Sequence, residues 1–392
     1  MAKHPALFLM GGIMALFIAM GIGRFAYTPI LPLMQNHGSF SNAFAGYLAS
    51  INYAGYMLGA ILAGVIPWRG KRIHYFRINL VISILTTACM GLTHLYWIWL
   101  ILRFISGLAS AFIFVLSSSV VLDALAANGR TKWSGIFYGG VGFGIFFTGF
   151  AVPLFNRLFN WEGAWIGLAV TSVILGTFSW FGLKEETQTR SQTSSTAKWE
   201  GQPTPRLLPW LIASYGCEGL GYIVTGTFIV SIAEKIPGLS GNASLVWMFV
   251  GLAAAPSCII WSMLGKRNGF VLSLGLAMIL QAVGIVIPVI WNSPAGAILS
   301  ALLFGATFMG ITTLATTLAR SMNPTGSSRT IGSLTAVYGA GQMIGPSGAG
   351  ILASITHNYN GALVGAAIVV LLGSVLLWVG QAVQTKNKKG MC

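Results

Sequence analysis

Charge is what this chain of 392 residues has least of: 7% of its residues are Asp, Glu, Lys or Arg, against roughly a quarter in soluble globular proteins. With 55% hydrophobic residues, that scarcity excludes a water-soluble fold. Acids are rarest, seven in all, so the carboxylate clusters that metal-assisted or acid–base enzymes need cannot be assembled. The four cysteines, Cys89, Cys217, Cys258 and Cys392, contain no CxxC pair and mostly sit in apolar runs, which argues against both a zinc site and a disulfide framework. His37, His74, His94 and His357 lie in connections or near span ends without ligand spacing. No metal and no cofactor is expected. The short alternating segments of a transmembrane barrel are missing, and the glycine-rich runs follow no strand, so no nucleotide cradle is implied.

What the chain does have is long apolar runs, each able to cross a bilayer as a helix of about 20 residues. They fall near 6–32, 43–66, 78–94, 97–123, 134–155 and 163–183, and again near 207–233, 243–264, 270–290, 295–318, 330–355 and 360–383. The first run continues past Gly21 and Arg24 to a Pro-x-x-Pro end, too long for a cleaved signal, and reads as a span. Between the two sets lies KEETQTRSQTSSTAKWEGQPTPR, residues 184–206, polar and rich in Ser and Thr like a linker. The expected organisation is therefore an all-α integral membrane protein with twelve transmembrane helices: a bundle over 1–183, a linker over 184–206, and a second bundle with a basic tail over 207–392.

The net charge of +15 is sorted by this alternation. Counted from an N-terminus in the cytoplasm, nearly every Lys and Arg falls on the inner side; Arg157 and Lys235 lie outside, and Arg24 and Arg103 lie within spans. The basic balance thus reports topology, with both termini cytoplasmic in a bacterial inner membrane, and not nucleic-acid binding.

Two traces of an internal repeat join the halves. Gly21-Ile22-Gly23-Arg24 lies 198 positions before Gly219-Leu220-Gly221-Tyr222, and Arg130-Thr131 with Tyr138-Gly139-Gly140 lies about 200 before Arg329-Thr330 with Tyr338-Gly339-Ala340. Six plus six spans, a cytoplasmic middle connection and a parallel repeat resemble the major facilitator superfamily over the whole chain. Within it, Gly21-Ile22-Gly23-Arg24-Phe25-Ala26-Tyr27-Thr28-Pro29-Ile30-Leu31-Pro32 is similar to the opening signature of the YbfB/YjiJ family. Arg103-Phe104-Ile105-Ser106-Gly107 resembles the span 4 motif of drug/proton antiporters, which implies export. The connection from Gly64 to Arg72 keeps the basic residues of the superfamily's loop motif but has Trp68 in place of an acid.

Five acids fall in connections or at span ends, leaving Glu218 and Asp123. An ionisable group in hydrocarbon needs a partner, a wet cavity or a function. Glu218 sits mid-span with Tyr215, Tyr222 and Thr225 on one helical face, and a midplane carboxyl that exchanges a proton is what a proton-coupled carrier needs; a neutral carboxyl bonded to a neighbouring helix is the plainer alternative. Arg24, with Tyr27 on its face, must meet an anion: Glu218, a substrate carboxylate or phosphate, or backbone carbonyls. Arg103 heads a face with Ser106, Ser110 and Ser117, and is either a coupling residue or a structural, snorkelling one. Asp123 lies beside Arg69 and Arg72 as a gating or structural ion pair. The expectation is a monomeric, proton-coupled carrier in lipid that exports a small organic solute, with Glu218, Arg24 and Arg103 coupling and Arg24, Tyr27, Tyr215, Tyr222, Thr225 and Ser110 binding substrate. The competing readings are import of an organic anion anchored by Arg24, through proton symport or uniport, and a membrane-embedded transferase.

Overall fold

A computed structural model describes residues 5–38, 40–66, 68, 70–184, 207–322 and 327–389, and among them there is helix and no strand. The order is α1 (Pro5–Leu16), a π-helical segment (Phe17–Ile22), α2 (Tyr27–Gly38), α3 (Asn42–Val65), α4 (Arg72–Met90), α5 (Tyr96–Ala127) and α6 (Ser134–Gly182). Then come α7 (Leu208–Ala233), α8 (Ser244–Asn268), α9 (Phe270–Ile290), α10 (Pro294–Met322), α11 (Ser327–Thr356) and α12 (Asn360–Lys389). Of the expected linker at 184–206, residues 185–206 lie outside the described residues.

Among the described residues ten helices are long and apolar enough to cross a membrane, fewer than the twelve expected. Two causes account for the difference. The expected fifth and sixth spans run on as one stretch, Thr131–Gly182, broken only where Phe159 (φ −146°, ψ 29°) and Asn160 (φ 58°, ψ −162°) leave the helical region. Asn160 there takes a positive-φ conformation, at ψ −162°, that glycine ordinarily occupies, so the break is a strained point in the backbone. The other is α11, 30 residues long, whose many Gly, Ser and Thr residues dilute its apolar character. The third span also starts earlier than expected, at Arg72. Its added turns carry Arg72, paired with Asp123, and Arg77, which donates to the Trp180 carbonyl at 2.9 Å while its guanidinium lies over the Trp180 ring. Long cationic side chains extend an apolar helix in this way by reaching a polar partner at its end.

Packing inside each end of the chain is dense: α1 and the π segment lie on α6, α3 on α5, α7 on α11 and α12, and α10 on α8 and α9. The two ends meet along α3 with α11, α6 with α8, and α2 with α7. Glycine makes these seams possible, as close helix approach in lipid requires small residues. A Cβ at Gly46 would lie 2.3 Å from the Pro346 carbonyl oxygen, and one at Gly251 only 2.1 Å from the Phe146 nitrogen. The α3–α11 seam is closed at one end, where Ala43 N–H donates to Ser354 Oγ (2.9 Å) and Ser347 bonds Ser50 (2.7 Å). At its other end, a Cβ added to Gly64 or Gly332 would meet nothing within 4 Å.

Candidate functional site

The first span is broken at its centre. Gly23 and Phe25 donate five residues back, to Ile18 (2.8 Å) and Met20 (3.0 Å), and Pro29, lacking an N–H, leaves the Phe25 carbonyl to accept from Thr28 at 3.1 Å. Carbonyls freed by such a break must be satisfied inside the protein. Arg103 on α5 does this: its Nη1 and Nη2 point to the carbonyls of Gly23 (3.4 Å) and Arg24 (3.5 Å), and its Nε to Leu48 O (3.3 Å). Ser106 adds a bond to Gly23 O at 2.9 Å, and Asn52 donates to the Arg103 carbonyl at 2.8 Å. Tyr27 lies under the Arg103 guanidinium, 4.7 Å to the ring centroid, and bonds Ala45 O at 3.0 Å. Ser110 backs the same break, so close that a Cβ on Gly23 would fall 2.7 Å from its Oγ.

The break turns Arg24 toward the helices of the other end of the chain. The residue is 4% exposed, its Nη2 reaches Tyr222 Oη at 3.5 Å, and its Nε has no hydrogen-bond partner. Three rings flank the guanidinium: Tyr56 at 4.2 Å, Tyr53 at 4.9 Å and Phe25 at 5.0 Å. It forms no ion pair, neither with Glu218 nor with any other described acid. Tyr222 also accepts from Gln342 Nε2 on α11 and belongs to a near-parallel ring series. Tyr215 stacks on Tyr338 (4.2 Å, 10°), Tyr338 on Tyr222 (5.5 Å, 11°), and Tyr222 faces Phe308 (6.2 Å, 7°).

Glu218, 1% exposed, points elsewhere. It lies beside Gln281 on α9, yet neither carboxyl oxygen, and neither amide atom of Gln281, makes a hydrogen bond. Thr225 Oγ1 is likewise buried without a partner. Of the residues singled out in the sequence, then, Arg24, Tyr222 and Tyr215 gather around one ring cluster, Tyr27 and Ser110 support the break behind it, and Glu218 stands one turn away. Tyr53, Tyr56, Tyr338 and Gln342 were missed. Their signal is faint: Tyr53 and Tyr56 are a polar-aromatic pair at i, i+3, and Tyr338 and Gln342 one at i, i+4, within otherwise apolar spans.

Arg72 Nη1 meets Asp123 Oδ2 at 2.7 Å, with both side chains partly exposed; Arg69 lies outside the described residues. A pair this open is worth about 0–1 kcal/mol. Asp123→Ala is expected to leave thermal stability and ligand affinity near wild type while slowing turnover, measured by binding and proteoliposome flux on the same preparation. A large loss of affinity would move Asp123 into the binding site.

Among the described residues the chain is thus a many-helix apolar fold, with ten helices able to cross a membrane and a buried polar centre where its two ends meet. The chain belongs to the family described as "Uncharacterised MFS-type transporter YbfB", whose pattern matches residues 16–378. It is 22% identical over 256 residues to an uncharacterized MFS-type transporter of Yersinia pestis (strain Pestoides F), covering 63% of this chain and 62% of the relative. It is 24% identical over 269 residues to the uncharacterized MFS-type transporter YcaD of Escherichia fergusonii, covering 64% and 63% of the two chains. The match thus spans less than two thirds of these relatives' own length. The fold is similar to that of a bacterial homolog of the human lysosomal transporter Spinster, solved inward-facing and unoccupied (TM-score 0.74, 13% identity, 98% of each chain). It is also similar to a point mutant of the nucleoside transporter NupG (TM-score 0.68, 15% identity, 97% of this chain and 99% of that one).

Proposed function

We propose that this protein is a monomeric secondary transporter that moves a small organic anion, together with a proton, across the bacterial cytoplasmic membrane by alternating access, with Arg24 as the anchor of the anion. The observation that carries this reading is the Arg24 guanidinium, buried at the seam among three rings and the neutral hydroxyls of Tyr222 and Tyr56, with no acid paired to it among the described residues. An arginine keeps its charge when buried and calls for an anion, which here the cargo supplies. The Arg103 motif that resembles antiporters gives export less support, because its guanidinium is occupied by backbone carbonyls. Import by symport is therefore the reading preferred over export.

In this reading the spans number twelve: α1–α2 as one, α3, α4, α5, the two arms of α6, and α7 to α12, in two six-helix bundles joined by residues 184–206. The charge rule sets both termini in the cytoplasm. The closed end of the α3–α11 seam then faces outward and the open end faces the cytoplasm, an inward-opening state. Glu218 beside Gln281 is the proton carrier.

A thermal-shift screen of the purified protein against organic acids, sugars, amino acids and nucleosides tests the anchor, since a ligand that binds the folded state raises its stability. At least one organic acid is expected to stabilise the wild type and to lose that effect in Arg24→Gln. Stabilisation by neutral solutes alone, or an unchanged response in Arg24→Gln, would overturn the proposal.

A further inference from the structure

Resting on the anion-carrier reading, we infer that the cargo is a planar aromatic monoanion, an arene carboxylate whose carboxylate meets Arg24 and whose ring lies among Tyr53, Tyr56, Phe25 and Phe308. The charge follows from counting cations that are free to act. Arg24 has an unpartnered Nε and only the hydroxyls of Tyr222 and Tyr56 for polar partners, whereas Arg103, the other buried arginine among the described residues, spends its Nε, Nη1 and Nη2 on three carbonyls. One available guanidinium matches one carboxylate through its planar fork. A dicarboxylate or a phosphate dianion would bring a second charge into this buried site with nothing to meet it.

The shape follows from what surrounds that cation. Tyr53 and Tyr56 sit on one side, from α3; Phe25 sits beside it, itself edge-on to Phe308 (6.2 Å, 79°) and Trp247 (6.2 Å, 60°). Ring faces repel a carboxylate and attract ring edges, so an anion entering here keeps its charge on Arg24 and presents a body to aromatic walls. An arene satisfies those walls at face and edge; a saturated ring of equal size forgoes that geometry. An aromatic amino acid fails on a different ground. Its ammonium would need an acid next to the carboxylate anchor, and the buried acid among the described residues, Glu218, makes no ion pair with Arg24 and lies beside Gln281 on α9.

Isothermal titration of the full-length protein in detergent with benzoate, cyclohexanecarboxylate, phthalate, phenylalanine and benzyl alcohol decides the matter on the wild type alone. Benzoate is expected to bind at least about tenfold tighter than each of the others. Tyr53→Leu combined with Tyr56→Leu, checked for folding by size-exclusion chromatography, should keep anion binding and lose the preference for the arene. Arg24→Gln should lose benzoate altogether. Equal binding of cyclohexanecarboxylate, or an unaltered arene preference in the folded double variant, would overturn the aromatic inference and leave the anion carrier standing. Tightest binding by phthalate would overturn the single charge. Tightest binding by phenylalanine or benzyl alcohol would overturn this inference and the anion-carrier reading together.

Discussion

Arg103→Leu is expected to lower the stability of the folded protein by on the order of 4 kcal/mol, the largest effect of any single side chain at the site, and to weaken anion binding with it. Leucine keeps much of the buried volume but strands the Arg24 carbonyl, leaves Gly23 with Ser106 alone, and removes the second donor from the Leu48 carbonyl of α3. An unsatisfied buried acceptor costs about 1–3 kcal/mol, and the broken segment that aims Arg24 would relax toward a regular helix. Arg103→Lys, with a single ammonium in place of a fork, should fall between the two. Melting of the detergent-purified protein, followed by size-exclusion chromatography, reads the stability, and titration with the screened anion reads the aim of Arg24. A stable, ligand-binding Arg103→Leu that has lost only its response to a pH gradient would return Arg103 to the coupling role its motif suggests.

Glu218→Gln is expected to abolish accumulation driven by a pH gradient while leaving exchange of labelled for unlabelled cargo intact. The carboxyl is buried with no cation and no formed hydrogen bond, beside an amide in the same condition. A buried carboxylate without a counter-charge is costly, so the group gains by holding a proton, and glutamine copies that state permanently. Folding should be unharmed, because the substitution removes a charge that the site does not compensate. Proteoliposome uptake with and without an imposed pH gradient makes the measurement. Gradient-driven accumulation that survives in Glu218→Gln would end the proton-carrier reading.

Much of this architecture was legible in one dimension because lipid imposes strict rules: long apolar runs become helices, and most expected boundaries fall within a few residues of the observed ones. One pairing between the ends of the chain was legible too. An offset of 198 put Arg24 in register with Tyr222, and the two side chains touch. The expected Arg24–Glu218 pair did not form, since residues four apart differ by about 40° around a helix and about 6 Å along it. That difference sends Glu218 toward α9 and leaves Tyr222 facing Arg24. The tyrosines of α3 and α11 were not legible, because a tyrosine in an apolar span is as common at a lipid interface as in a site. Two carbonyl partners of Arg103, those of Gly23 and Arg24, were hidden for another reason: they are free only because the first span breaks, and nothing short of the fold reveals which carbonyls a break sets free.

The 198-residue spacing recurs in a second contact, Thr28 Oγ1 to the Gly226 carbonyl at 2.7 Å. The two contacts lie one turn apart along the same crossing, position 24 against 222 and position 28 against 226. The crossing is lopsided, because α7 runs unbroken from Leu208 to Ala233 while the first span is interrupted between Ile22 and Tyr27. A molecule lodged there would meet a guanidinium from one side and a phenolic hydroxyl from the other, so the crossing itself gives it a front and a back.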